Sequence, residues 1–223
     1  MSIKSLKIED LYPQLKNKKS LLAVSGGVDS IVLTHLFSNS KFKFCIAHCN
    51  YNLRGKHSDN DAILVKNLAN SLDVDLFLKK VDTIEYSKKN KCSIQMAARD
   101  IRYNWFNDLL IENDISCVIT AHHLNDQLET FLINISRGSG INGLIGIPET
   151  NKLIRPLLNY TKEELLAYAN ENNLKWNEDK SNLKNDYLRN SIRNLVIPEW
   201  KKIIPDLEKY FQKTINHIGD ASK

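Results

Sequence analysis

The sequence has no apolar run long enough to span a bilayer, and Met1 to Asp10 scatter charges where a secretory leader would carry an apolar core. The expectation is a cytoplasmic protein with no membrane partner. Cysteine is scarce: Cys45, Cys49, Cys92 and Cys117 are the full set, and none forms a C-x-x-C pair. That argues against a zinc ribbon or a dithiol redox site, and buried reduced thiols are expected instead. Internal repeats and low-complexity tracts are missing too. Neither sign of charge dominates. Lys and Arg number 31 against 26 Asp and Glu, a net charge of +5 at pH 7. Such a mild excess helps a polyanion dock without demanding one.

What remains is an ordinary globular composition, 42% hydrophobic over 223 residues, enough for one fair-sized domain with a small appendage. Short runs rich in Val, Ile, Leu and Phe read as buried parallel strands: Leu21–Val24, Phe42–Ala47, Val74–Leu78 and Cys117–Ala121. Helical patterns lie between them at Asp29–Phe37, Ser58–Ser71 and Ile94–Glu112, with Asn125–Ser136 after the fourth strand. Ser58 is the expected N-cap of the second helix. Lys152–Leu158 reads as a short edge segment. Thr161-Lys162-Glu163-Glu164 looks like a capping box opening a helix to about Asn172. From Asp186 to about Ile218 the pattern is helical again, broken at Pro198 and Pro205. The β-α alternation predicts an α/β fold, a doubly wound, mostly parallel five-stranded sheet with a small C-terminal helical extension. Residues 1–183 would form the catalytic domain and 184–223 the extension.

Two constellations carry chemistry. Leu21-Leu22-Ala23-Val24 runs into Ser25-Gly26-Gly27-Val28-Asp29-Ser30 and then an apolar helix. Glycines let the backbone approach an anion, and the freed amides and helix N-terminus direct positive charge at it. Ser25 and Ser30 could add hydroxyl donors, and Asp29 could hold magnesium or cap the helix. This is no Walker A loop, since it contains no lysine. Further on, His122, Asp126 and Glu129 follow an apolar strand at spacings of four and three, which predicts one face of a helix. That trio could orient a base, move a proton or hold magnesium. Arg99 and Arg102 share a helical face and could clamp phosphate or RNA.

The hexapeptide Ser25–Ser30 resembles the SGGxDS loop of the pyrophosphate-loop ATPases, which split ATP between its α- and β-phosphates and pass AMP to a substrate oxygen. More of the chain is similar to one member family, the tRNA(Ile)-lysidine synthetases. The likeness runs through His48-Cys49-Asn50 with Leu53-Arg54, Ala98-Arg99 with Arg102-Tyr103, and His122-His123 with Asp126, Glu129 and Thr130. It continues through Arg137-Gly138-Ser139-Gly140, Arg155-Pro156-Leu157-Leu158, Glu178-Asp179 with Ser181-Asn182, and Arg189-Asn190 with Arg193 and Pro198.

The resemblance implies a reaction. The wobble cytidine of a CAU-anticodon tRNA(Ile) is adenylated at its C2 oxygen, releasing pyrophosphate. Free L-lysine then attacks C2 and expels AMP. By the same resemblance Ser25, Gly26, Gly27, Val28, Asp29 and Ser30 bind ATP, with Asp29 on Mg2+. Arg102, His122, Asp126 and Glu129 are the catalytic set. Arg54, Arg99, Arg137, Arg189 and Arg193 contact substrate or tRNA. Tyr51, Asn52 and Lys180 depart from the family's usual residues. Family members also carry further domains that grip the tRNA body, which implies either a truncated chain or a short form acting as a homodimer. Alternatives are another pyrophosphate-loop tRNA modification enzyme, of the 2-thiocytidine type, and a nucleotide- or tRNA-binding module without turnover.

Overall fold

The computed structural model describes residues 3–178 and 187–221. Asp179, Lys180, Ser181, Asn182 and Asp186, and the expected boundary between residues 183 and 184, lie outside the described residues.

Three short helical turns lead in, and then strands and helices alternate. In chain order these are β1 (Lys19–Ala23), α1 (Val28–Ser38), β2 (Lys43–Asn50), α2 (Lys56–Leu72) and β3 (Leu76–Lys80). There follow α3 (Thr83–Asn90), α4 (Ile94–Glu112), β4 (Cys117–Ile119), α5 (Leu124–Ser136), β5 (Leu153–Ile154) and α6 (Lys162–Glu171). The strands form one parallel sheet in the order β3-β2-β1-β4-β5. The expected five-stranded, doubly wound α/β architecture is what the chain adopts.

Alternation along each strand explains the two layers. Leu22, Ile46 and Ile119 point to one face, where α1, α2 and α6 cover them through Leu33, Phe37, Val65 and Leu165. Their neighbours Leu21, Cys45 and Val118 point to the other, against Trp105, Phe106 and Leu109 of α4. Strands apolar on both sides are what a doubly covered parallel sheet requires.

The helical stretch at the C-terminus begins at Leu188 and continues through a π-turn, Ile192–Val196, into α7 (Ile197–Ile203). After a break at Ile204–Asp206, α8 (Leu207–Ala221) follows. The predicted break at Pro198 is therefore corrected. Proline has no N–H to donate, but it stands just after the π-turn Ile192–Val196, where the hydrogen-bond ladder shifts register, and the helical stretch runs on through it. Pro205 does end a helix. Ile192, Ile197, Leu207, Phe211 and Ile215 pack on Leu124 and Leu128 of α5, so these helices share a core with the sheet domain's fifth helix.

Ser58 is not the N-cap of α2. The helix starts at Lys56, after Gly55 turns the chain with φ +51°. Ser58 lies in the first turn, where its hydroxyl accepts from the Arg54 amide at 3.2 Å.

The strand order reverses at β1. The chain crosses from β1 to β2 on one side of it and places β4 on the other. In open α/β sheets ligands sit beyond the strand carboxyl ends at such a reversal. The loop after β1 and the turn after β4 meet there.

Candidate active site

The loop is fixed from inside by its serines. The Ser25 and Gly26 amides both donate to Ser30 Oγ at 3.2 Å, and that hydroxyl donates to the Gly27 carbonyl at 2.9 Å. The Gly27 amide donates to Ser25 Oγ at 3.3 Å. Both hydroxyls are thus engaged within the loop, and Ser30 is buried. Ser30 directs its proton to the Gly27 carbonyl, which corrects its expected role as an anion donor, whereas exposed Ser25 accepts from Gly27 and keeps a hydroxyl proton to donate; the first-turn amides of α1 add partial positive charge. Gly26 holds φ +94°, and a Cβ there would meet Asp61 at 3.4 Å.

Asp61 is the brace beneath the loop, and the sequence pattern did not single it out as a site residue. Its carboxylate accepts from Arg54 Nη2 at 2.7 Å and from Asn177 Nδ2 at 2.8 Å. Asn177 also donates its backbone amide to the Gly26 carbonyl at 3.0 Å. Arg54, expected to meet substrate, therefore helps hold this brace. His48 stands alongside, with Nδ1 donating to the Val24 carbonyl at 2.8 Å and Nε2 buried without a partner. Burial pushes its pKa down.

The loop lacks a lysine, yet the fold delivers one. Thr161 and Glu164 form the expected capping box, each accepting from the other's backbone amide. That box sets Lys162 at the start of α6, and its ammonium lies 2.7 and 2.9 Å from the two Asp29 oxygens. The capping box was visible in sequence, but the approach of its second residue to a loop 133 positions earlier was not.

The two adjacent histidines diverge. His123, with extended backbone, is the N-cap of α5, and its amide donates to Asp126 Oδ2 at 3.0 Å. Its Nε2 stands 3.8 Å from Asp29 and 3.6 Å from Asp126, bridging loop and helix. His122 precedes the helix, so the expectation that it shares a helical face with Asp126 and Glu129 is corrected. It turns instead toward Thr120 and Arg155.

Asp126 and Glu129 do share a face, and two arginines from the C-terminal stretch cover it. Arg189 Nε reaches Glu129 at 2.7 Å and its Nη2 reaches Asp126 at 3.3 Å. Arg193 grips both Glu129 oxygens at 2.5 and 2.9 Å. Glu129 is 1% exposed, a buried charge that needs these partners. Burial works to raise the Asp126 pKa, but His123, Arg189 and the His123 amide together outweigh it and hold the carboxyl below its ordinary range. Arg193 is raised because its bonds to Glu129 and the nearby carboxylates outweigh burial. Arg189 and Arg193, expected on phosphate or RNA, are thus engaged with the Asp126 and Glu129 carboxylates.

Arg99 and Arg102 of α4 sit over the ring of Tyr103, at 4.9 and 5.2 Å from its centroid, and Arg102 is near enough for its charge to bear on His122. Arg137 is exposed at the far end of α5, about 16 Å from Asp126 along the helix. Two cavities flank the loop. One of ≈ 550 Å³ is lined by Asp29, His123, Asp126, Glu129, Lys162 and Arg193. The other, ≈ 500 Å³, is lined by Ser25, His48, Asn50, Arg54, Ile94 and Tyr187. Among the described residues no helix is long and apolar enough to cross a membrane, and no group of three or more His, Cys, Asp or Glu is arranged to hold a metal ion.

Comparison with known proteins adds to this geometry. The PP-loop domain family matches residues 2–200. A tRNA(Ile)-lysidine synthase of Bacteroides thetaiotaomicron is 36% identical over 216 residues, covering 96% of this chain and 51% of the relative. One of Chlorobaculum tepidum is 41% identical over 213 residues, covering 91% and 63%. The chain spans about half the length of the curated relatives it matches. Among solved structures, a U34-tRNA thiolase from Methanococcus maripaludis, determined with its iron–sulfur cluster, superposes with a TM-score of 0.73 at 16% identity. It covers 97% of this chain and 80% of that one, a likeness of fold.

Proposed function

Because the chain belongs to the PP-loop domain family, we propose that it uses ATP to join lysine to C2 of the wobble cytidine in a CAU-anticodon tRNA(Ile), forming lysidine. The observation that carries this is the meeting of two segments at the sheet reversal. Asp29 of the phosphate loop lies against His123 of the β4 turn and against Lys162. The name shared by the curated relatives supports the choice of substrate within the family.

In this reading the loop Ser25–Ser30 cradles the β- and γ-phosphates, and the first-turn amides of Val28, Asp29 and Ser30 at the α1 N-terminus donate to them. Lys162 supplies the cation that a Walker A loop would carry within itself. Asp29, a carboxylate at the phosphate cradle, is the residue that would hold magnesium once Lys162 turns to phosphate. The metal there would offset charge on the pyrophosphate as it leaves. The cytidine C2 oxygen attacks the α-phosphorus, the α–β bridge bond breaks, and pyrophosphate departs. Arg102 and His122 face the charge that develops on the α-phosphate. Lysine's amine, having lost its proton, then attacks C2 and expels AMP. Asp126 and Glu129 would meet the incoming ammonium, which competes with Arg189 and Arg193 for the same oxygens. Asp126 or Glu129 accepts the proton that the amine must lose.

Residues 1–183 make up the catalytic domain in this proposal, with 184–223 as a helical extension. Exposed Arg99 and Arg137 are the side chains available to the tRNA surface. Contacts outside these 223 residues, or a homodimer, would complete the grip on the tRNA body.

ATP–pyrophosphate exchange tests the first half-reaction. Exchange that needs unmodified CAU-anticodon tRNA and drops at least roughly tenfold in Lys162→Met is expected, since a hydrogen bond to a charged group contributes about 1.5–3 kcal/mol. Exchange independent of tRNA would contradict the proposal.

A further inference from the structure

The Arg155-Pro156-Leu157-Leu158 motif opens on a buried arginine that the proposed reaction leaves unused. Arg155 follows β5, which lies beside β4, and is 3% exposed. Its backbone amide donates to Glu149 and its guanidinium to the Pro148 carbonyl, so the side chain is fixed at both ends. Its Nε–H points at His122 Nδ1, 3.4 Å away. Thr120 Oγ1 lies 2.8 Å from that same nitrogen.

A threonine hydroxyl donates or accepts, so Thr120 alone leaves the imidazole tautomer open. A guanidinium has five donors and no acceptor. Beside Arg155, therefore, Nδ1 offers its single lone pair, which the Arg155 N–H at 3.4 Å and the Thr120 hydroxyl at 2.8 Å share as donors. We infer that Arg155 is a positioning residue that holds His122 as the neutral tautomer with its proton on Nε2, making His122 a hydrogen-bond donor toward the reacting group rather than a base.

The surrounding charges point the same way. Protonating Nδ1 would set an N–H against the Arg155 N–H. Burial is the largest influence on His122, and Arg155, Arg102 and Arg189 add to it, while Asp126 alone opposes. The ring is brought down to about 4. A donor at Nε2 suits an oxygen that gains charge, as an α-phosphate oxygen does during adenylation. The identity of that oxygen rests on the proposed function; the tautomer does not.

The test is long-range proton–nitrogen correlation spectroscopy of the full chain labelled with 15N-histidine, with His122 assigned through His122→Gln. Between about pH 5.5 and 8, where an ordinary imidazole titrates, wild-type His122 is expected to keep a pyridine-like Nδ1 and a pyrrole-like Nε2. A proton on Nδ1, or an imidazolium forming above about pH 6, would overturn the inference. Thr120→Val leaves Arg155 as the one remaining donor and is expected to preserve the pattern; a switch to the Nδ1–H form would count equally against it. Arg155→Met is expected to raise the pH at which His122 protonates and to slow tRNA adenylation roughly tenfold or more with little change in ATP KM. Arg155→Lys, which donates but cannot accept, is expected to restore the wild-type spectrum. The spectra report the tautomer whether or not lysidine forms, so the inference and the proposed reaction fail separately.

Discussion

Within the phosphate loop, the hydrogen bonds its own residues make to one another span five residues or fewer: Ser25 to Ser30, Gly26 to Ser30, Gly27 to Ser25, with the Asn177 amide reaching the Gly26 carbonyl from outside. Across the same crevice, Glu129 is held by Arg189 and Arg193, which are 60 and 64 positions away. The first half of the site folds with a strand, a turn and a helix. The second exists only once the C-terminal stretch has docked on α5. Substitutions in the loop should therefore strike nucleotide binding while sparing the fold. Substitutions in the arginine-covered cluster should strike both.

The sharpest break in that contrast is Glu129→Ala. It leaves two arginines facing a vacated buried site, and breaking a buried pair costs about 3 kcal/mol, the low end of the usual range because both arginine side chains are partly exposed. Urea denaturation should show the loss, with amide exchange rising first from Leu188 onward. A loss below about 1 kcal/mol would place the cluster among surface ion pairs.

Acid should act on the same half. His122 has a folded pKa of about 4 against an ordinary histidine value of 6.5, so the unfolded chain binds more protons across that window. Stability must then fall as pH drops from about 6.5 to about 4, by at most about 3 kcal/mol. Asp126 is depressed, so its contribution is lost only as pH falls through the lower carboxylate range. His122→Gln should shrink the loss across the first window, where buried His48 also contributes, and leave the second. Denaturation midpoints at a series of pH values check both signs.

Gly26→Ala sharpens the comparison from the other side. An L-residue at φ +94° costs about 1–2 kcal/mol. Its larger effect should be loss of ATP binding at concentrations that saturate the wild type, read by calorimetry. The smallest effect belongs to Arg137→Ala. Exposed at the far end of α5, it should leave stability within about 0.5 kcal/mol and ATP binding unchanged. Weaker tRNA binding, read by filter binding, is the one change expected of it.

The same contrast governs what the sequence could reveal. Ser93 caps α4, and Ala97, Ile101, Trp105 and Leu109 recur on its buried face, so Ile94–Glu112 was legible to the residue. The loop was legible because six consecutive residues make it. α3 (Thr83–Asn90) went unread because Thr83 is its one buried residue and no apolar stripe marks it, although Asp82 does cap it. His122 was misplaced because helix periodicity was counted across an extended N-cap. The pairing of Arg189 and Arg193 with Glu129, the approach of Lys162 to Asp29, and Asp61 beneath Gly26 all depend on topology. No local spacing encodes them.

The most direct measurement is incorporation of labelled lysine into unmodified CAU-anticodon tRNA(Ile), with ATP and magnesium and saturating tRNA, comparing wild type with Asp126→Ala. Lysine joined by the wild type at the wobble cytidine and absent with the variant is the predicted result. No incorporation by wild-type protein that binds both ATP and tRNA would contradict the assignment of lysidine formation to this chain.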